Sequence, residues 1–341
     1  MKIVSFPPGF VDAYLEEVRE LMESGQVAEG TYFKDARSYV PGRQSVTVTS
    51  GGAAIFALLA YQHHVKKRRT AIIQANTMRA LYTVPTLLGM RVAVAESSYA
   101  DYLAMSPASL ERRLASAEVR REAVVVYSVI GGYLSRSFAD IVHICQRAEV
   151  PLIVDAAHGH YLEALAETAS AHLAYSFYAT KILPAGEGGL VSTRDAAMFD
   201  WVRRFLVYDR FHNELNVGLN LRASEMSSAL VHRLMTDRSV VAHFRDARVA
   251  IAHRYAAICE EHELRYLDPR GAADYNGYKL VLLDPRDEVA RKGTALTVHP
   301  PTSGVFDTDV LGQPTSLPHW CPPTYPSLAS SSSSSSSSGR T

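Results

Sequence analysis

The residues of this 341-residue chain best suited to chemistry fall in three short stretches. Lys181 stands in AYSFYATKILPAGEGGLVST, residues 174–193, between aromatic side chains and a glycine-rich turn. Lysine is seldom buried unpaired, and an amine desolvated among such neighbours has a lowered pKa and becomes a nucleophile able to form a Schiff base. Asp155 closes the apolar run PLIVD, and ligands of open α/β sheets bind at the carboxyl ends of strands. Ser50, Gly51 and Gly52 join VTVT to the helix-like AAIFALLA, so backbone amides at a helix start, unobstructed by Cβ atoms at two positions, offer an anion site suited to phosphate. His158 follows Asp155 by three residues, and His158 with His160 lacks a third nearby ligand for a metal reading. Singly, each feature has an ordinary alternative: a surface loop lysine, a capping aspartate, a plain strand-to-helix turn, a structural histidine.

These stretches need a scaffold, and the pattern supplies one. From about residue 46 to 193, short apolar runs alternate with helix-like segments, the signature of a mostly parallel sheet covered by helices. The predicted strands are SVTVT, TAIIQA, RVAVAE, AVVVYSV, PLIVD, AYSFY and GLVST. Phe138, Ile141, Val142, Cys145 and Ala148 recur at spacings of three and four and predict one buried helical face. Ser106 with Pro107 behind it predicts a capped crossover helix. After Arg222 a long helical stretch runs from ASEMSSALVHRLM to about Glu261, followed by a strand in YKLVLLD, 278–284. The fold class expected is α/β, with a large domain over 1–235, a smaller α+β domain over 236–326 and a disordered poly-Ser tail over 327–341.

Composition narrows the function. Lys plus Arg and Asp plus Glu number 35 each, so no charge bias points to nucleic acid or to an acidic membrane. Three dispersed cysteines, Cys145, Cys259 and Cys321, fit neither a disulfide framework nor a zinc cluster. The N-terminus has no signal-peptide pattern and no apolar run reaches membrane-span length, so a soluble, cytoplasmic protein is expected.

Taken in order, a phosphate cradle, a strand-end carboxylate and a lysine match what pyridoxal phosphate needs: an anion site, an acid for the pyridinium nitrogen and an amine for the aldehyde. At this point the chain resembles the DegT/StrS group of sugar and cyclitol aminotransferases, of the aspartate aminotransferase fold class. TSGGAAIFAL, IVDAAHGHY, SFYATKILPAGEGGLVST and VGLNLRASEMSSAL carry the resemblance, which runs from about residue 25 to 315. It implies a pyridoxal-phosphate-dependent transferase of fold type I, with Lys181 as the Schiff-base lysine and Asp155 on the ring nitrogen. By the same resemblance His158 lies beside the phenolic oxygen, Ser176 joins Gly51 and Gly52 at the phosphate, and Asn220 serves the phosphate of a neighbouring subunit. The expected partners are a small-molecule amino donor, glutamate or glutamine, and a keto-sugar or keto-cyclitol acceptor, bound by a homodimer with active sites at its interface.

Two positions depart from the family pattern. Gly52 replaces a residue, usually threonine, that would give the phosphate a side-chain hydrogen bond, and Met78 replaces the aromatic or histidine that stacks on the pyridine. The alternatives to transamination are a dehydratase using the same cofactor, disfavoured because sugar dehydratases of the group often replace this lysine with histidine, and a non-catalytic regulatory protein.

Overall fold

The computed structural model describes residues 4–34, 39–210, 212, 214–283 and 304–305. Seven strands form its central sheet: β1 Gln44–Val48, β2 Thr70–Gln74, β3 Arg91–Ala95, β4 Ala123–Ser128, β5 Leu152–Asp155, β6 Ala171–Ser176 and β7 Gly189–Thr193. Their spatial order is β1-β7-β6-β5-β4-β2-β3. Neighbours are parallel except at β7, which runs against both β1 and β6.

Strands buried on both faces read as continuous apolar runs, and the two faces here feed two separate cores. Ala71, Ile73, Val124, Val126, Ile153, Ala174 and Val191 point into one. Ile72, Val125, Tyr127, Leu152, Val154, Leu173 and Tyr175 point into the other.

The helices that matter here are α1 Phe10–Ser24, α2 Thr31–Lys34, α3 Gly51–His64, α4 Pro107–Arg113, α5 Phe138–Arg147, α6 Glu225–Thr236 and α7 Ala247–Glu261. α3 is apolar almost all round and is buried nearly throughout, as expected of a helix enclosed by other elements. In α5 the buried set is Phe138, Ile141, Ile144 and Cys145, with Val142 and Ala148 packed at the margin. Ser106 caps α4 by accepting the Ser109 N–H at 3.4 Å, with Pro107 in the first turn.

Three boundaries differ from the sequence expectation. β6 begins at Ala171 and ends at Ser176, leaving Phe177 and Tyr178 to the turn that carries Lys181. The long helical stretch breaks at Asp237, whose backbone is extended (φ −76°, ψ 112°) and whose carboxylate accepts the Ser239 N–H at 2.9 Å. Short polar side chains favour such local bonds over helix continuation. Residues 278–283 make no regular strand; Leu267 donates to the Val281 carbonyl and Leu283 to the Arg265 carbonyl, both at 2.9 Å. Asp284, Cys321 and the poly-Ser tail lie outside the described residues. Among those described, no helix is long and apolar enough to cross a membrane.

Candidate active site

The carboxyl ends of the parallel strands bring the predicted residues to one edge of the sheet. Asp155 pairs with Ser128 on one side and Ala174 on the other, so it sits mid-sheet at the strand tips. Ser176 ends β6, and β1 leads through Thr49 into Ser50, the cap of α3.

Close packing fixes the turn at Ser50. Its Oγ accepts the Ala53 N–H at 3.1 Å. A Cβ on Gly51 would lie 2.7 Å from the Ser176 Cβ, and one on Gly189 would overlap the Ser50 carbonyl. Glycine is therefore required at both positions for the start of α3 to nest between β6 and β7. Gly52 is different, because a Cβ there would meet only the Ser50 Oγ at 3.7 Å. The first amides of α3 have no acceptor within the helix, and the space before Gly52 is open.

Lys181 is held by a loop that leaves β6 and returns into β7. Ala179 donates to the Gly186 carbonyl at 3.0 Å, Ala185 to Phe177 at 2.7 Å and Lys181 itself to Tyr178 at 2.8 Å. This answers why aromatic residues and glycines flank the lysine: Phe177, Ile182 and Leu183 anchor the loop in the core, and Gly186, at φ +86°, lets it turn back.

The amine of Lys181 lies 3.0 Å from His158 Nε2. Burial lowers its pKa and nearby Lys279 lowers it further, while Asp155 acts in the opposite sense. His158 is held well below the ordinary histidine range by burial, then by Lys181 and Lys279. Gly131 donates to its Nδ1 at 3.3 Å. Asp155 is raised by burial, opposed by the Ala157 N–H, which donates to Oδ1 at 3.0 Å, and by Lys181. Its second oxygen has no protein hydrogen bond among the described residues. Asp155, His158 and Lys181 are each half-buried.

Met78 is 41% exposed, which places it outside the core. Asn220 is exposed on a segment that runs beside the end of β1, where Thr49 donates to the Leu221 carbonyl at 2.8 Å. Its amide oxygen accepts from Arg222 Nη1 at 2.7 Å, and Arg222 is in turn paired with Glu29 at 3.0 Å.

Sequence reasoning missed a second group, Asn276, Tyr278 and Lys279. Asn276 is fully buried and donates from Nδ2 to the carbonyls of His158 and His160 at 2.7 and 2.8 Å. Tyr278 packs against His158 with ring centroids 4.5 Å apart, and Lys181 Nζ stands 5.7 Å from the same tyrosine ring. The only local signal is the turn-forming Asn-Gly pair in YNGYK. Among the described residues, no three His, Cys, Asp or Glu side chains gather to hold a metal ion.

Residues 11–299 match the family model described as the DegT/DnrJ/EryC1/StrS aminotransferase family. The chain is 28% identical over 202 residues to the spore coat polysaccharide biosynthesis protein SpsC of Bacillus subtilis (strain 168), covering 55% of this chain and 49% of that protein. It is 26% identical over 216 residues to the L-glutamine:2-deoxy-scyllo-inosose aminotransferase of Micromonospora echinospora, covering 62% and 47%. The chain spans about half the length of these curated relatives. Its structure superposes on NtdA from Bacillus subtilis, solved with bound cofactor PMP, with a TM-score of 0.69 at 19% identity over 83% of this chain and 66% of that one. That likeness shows the fold, the type I fold of pyridoxal-phosphate-dependent aminotransferases. With most of its length matched by one family model, the chain belongs to the DegT/DnrJ/EryC1/StrS aminotransferase family.

Proposed function

We propose that the protein is a pyridoxal-phosphate-dependent aminotransferase that moves an amino group from glutamate or glutamine to a keto-sugar or keto-cyclitol. The observation that carries this reading is the amine of Lys181, 3.0 Å from a neutral His158 and beside Asp155 at the strand tips. The relatives named above include an L-glutamine-dependent aminotransferase of a cyclitol ketone.

The residues present fit the cofactor. Open space before Gly52, the start of α3 and the Ser176 hydroxyl offer a cradle for its phosphate. The unpartnered oxygen of Asp155 suits a protonated ring nitrogen. When bound, pyridoxal phosphate supplies an electron sink for the carbanion formed at the substrate carbon. Lys181, its pKa lowered by burial, would be the base that takes a proton from the donor's carbon in one half-reaction and supplies one to the acceptor's carbon in the other. His158, kept neutral, orients the Lys181 amine without competing for its charge. Asp155 would hold the ring proton in place, and Tyr278, packed against His158, closes one side of the space around Lys181.

The same reading makes the active unit a homodimer in the cytoplasm. Its support is the exposure of the apolar side chains Met78, Tyr178 and Leu219, together with Asn220, whose oxygen is occupied by Arg222 so that its NH2 group is the part available to a partner's phosphate. Cys145 and Cys259 are buried and unpaired, which suits a reducing compartment. The extended backbone at Asp237 supports placing the boundary of the smaller domain at residue 236.

The test is reductive trapping with borohydride after incubation with pyridoxal phosphate, followed by peptide mapping. Label is expected on Lys181 alone, and Lys181→Ala is expected to abolish both label and transamination while melting as the parent does. Label on another lysine would refute the assignment.

A further inference from the structure

We propose that Lys279, backed by Arg248, forms an oxyanion subsite at the mouth of this site and takes a carboxylate of the amino donor. The inference rests on the aminotransferase reading above. Lys279 Nζ lies 5.3 Å from the centroid of the Tyr278 ring, the ring that Lys181 Nζ approaches at 5.7 Å. One aromatic ring is thus addressed by two amines, the one that does the chemistry and one that does not. Arg248 is the third cation, close enough to Tyr278 for the two to shift each other's ionisation.

Among the described residues neither Lys279 nor Arg248 has an ion-pair partner, whereas Arg204, Arg222, Arg233 and Arg270 are all paired. Arg248 is half-buried, where an uncompensated cation is costly, and the surrounding protein lowers the pKa of both groups. The backbone of Lys279 is nevertheless fixed in place. Its N–H donates to the Gly131 carbonyl at 3.0 Å, Asn276 clamps the same segment to the His158 loop, and Gly277 packs so closely on α7 that a Cβ there would lie 2.5 Å from the Val249 nitrogen. The side chain itself is exposed. A solvent-accessible, unpaired cation carried on a fixed backbone beside a reactive amine is an arrangement that recognises an anionic substrate.

Distance selects the carboxylate over a phosphate. The nitrogen of an amino donor must arrive at Lys181, and its carboxylates follow within a few bonds, across the width of one tyrosine ring. The phosphates of a nucleotide-linked acceptor are separated from the reacting carbon by the sugar itself.

The experiment titrates two unreactive anions into the full chain by calorimetry, with and without pyridoxal phosphate: glutarate, which has the carboxylates but no amine, and UDP. Lys279→Met is expected to weaken glutarate about tenfold, Lys279→Arg to restore most of it, and UDP to be unaffected by either. Weakening of UDP alone would overturn the donor assignment and move the subsite to the acceptor's phosphate. Unchanged glutarate affinity in Lys279→Met, or no glutarate binding by the parent protein, would overturn the subsite altogether. Failure of the parent to take up the cofactor on Lys181 would instead strike the aminotransferase reading, and the cofactor-free titrations would still report on Lys279.

Discussion

At the scale of single residues, the two adjacent glycines at the start of α3 have opposite reasons for being there. Gly51 is glycine because Ser176 occupies the place of its side chain, so Gly51→Ala must push β6 or α3 aside and is expected to cost about 1–3 kcal/mol of stability. Gly52 faces open space, and nothing in the packing forbids a hydroxyl. Gly52→Thr is therefore expected to leave stability unchanged or slightly raised and to tighten pyridoxal phosphate by about tenfold or more, the worth of one hydrogen bond to a charged group. Fluorescence titration of the cofactor and thermal melts of both variants check the pair. Unchanged cofactor affinity in Gly52→Thr would show that the cradle lies elsewhere.

At the scale of elements, the packing of α2 and α6 depends on one buried carboxylate. Glu225, in the first turn of α6, is fully buried and accepts the N–H groups of Gly30, Tyr32 and Phe33 at 2.8, 2.9 and 3.0 Å. These are the orphan donors of a short helix start, satisfied from another element. Glu225→Gln places an NH2 group against at least one of them, so a loss of about 2–3 kcal/mol in urea denaturation is expected. A loss below about 0.5 kcal/mol would mean water replaces the carboxylate without penalty.

Such long-range polar contacts mark the limit of what the sequence reveals. The strands are legible because runs such as AVVVYS must be buried on both faces, and Lys181, Asp155 and Gly51 are legible because their local surroundings are unusual for their types. Glu225 lies inside an ordinary helical pattern, and nothing near it in sequence announces Gly30. Asn276 and Tyr278 are invisible for the same reason, since their partners, His158 and Lys181, come from the other end of the sheet domain. The break at Asp237 was obscured by a helical pattern that resumes immediately after it.

At the scale of the whole molecule, folding buries histidines that the unfolded chain leaves free to titrate. His160 is the clearest. Its ring lies between Tyr175 and Phe177, at centroid distances of 5.2 and 5.0 Å, and both ring nitrogens are buried without a hydrogen bond. Burial, reinforced by Lys181, lowers its pKa from 6.5 to about 3. The unfolded chain therefore takes up a proton near pH 6.5 that the folded chain refuses until about pH 3, so acid favours unfolding across that window. One such group contributes a slope of about 1.4 kcal/mol per pH unit, and His158 and His172, both lowered by burial, act in the same direction. His160→Phe removes one of these protons and two unsatisfied nitrogens while keeping a ring between its aromatic neighbours. Near pH 8 the variant is expected to match or exceed the parent in stability, and by about pH 5 to exceed it by a further 1.5–2 kcal/mol. Urea denaturation at both pH values decides the matter, because a stability difference that does not change with pH would mean that His160 is charged, or paired, in the folded protein.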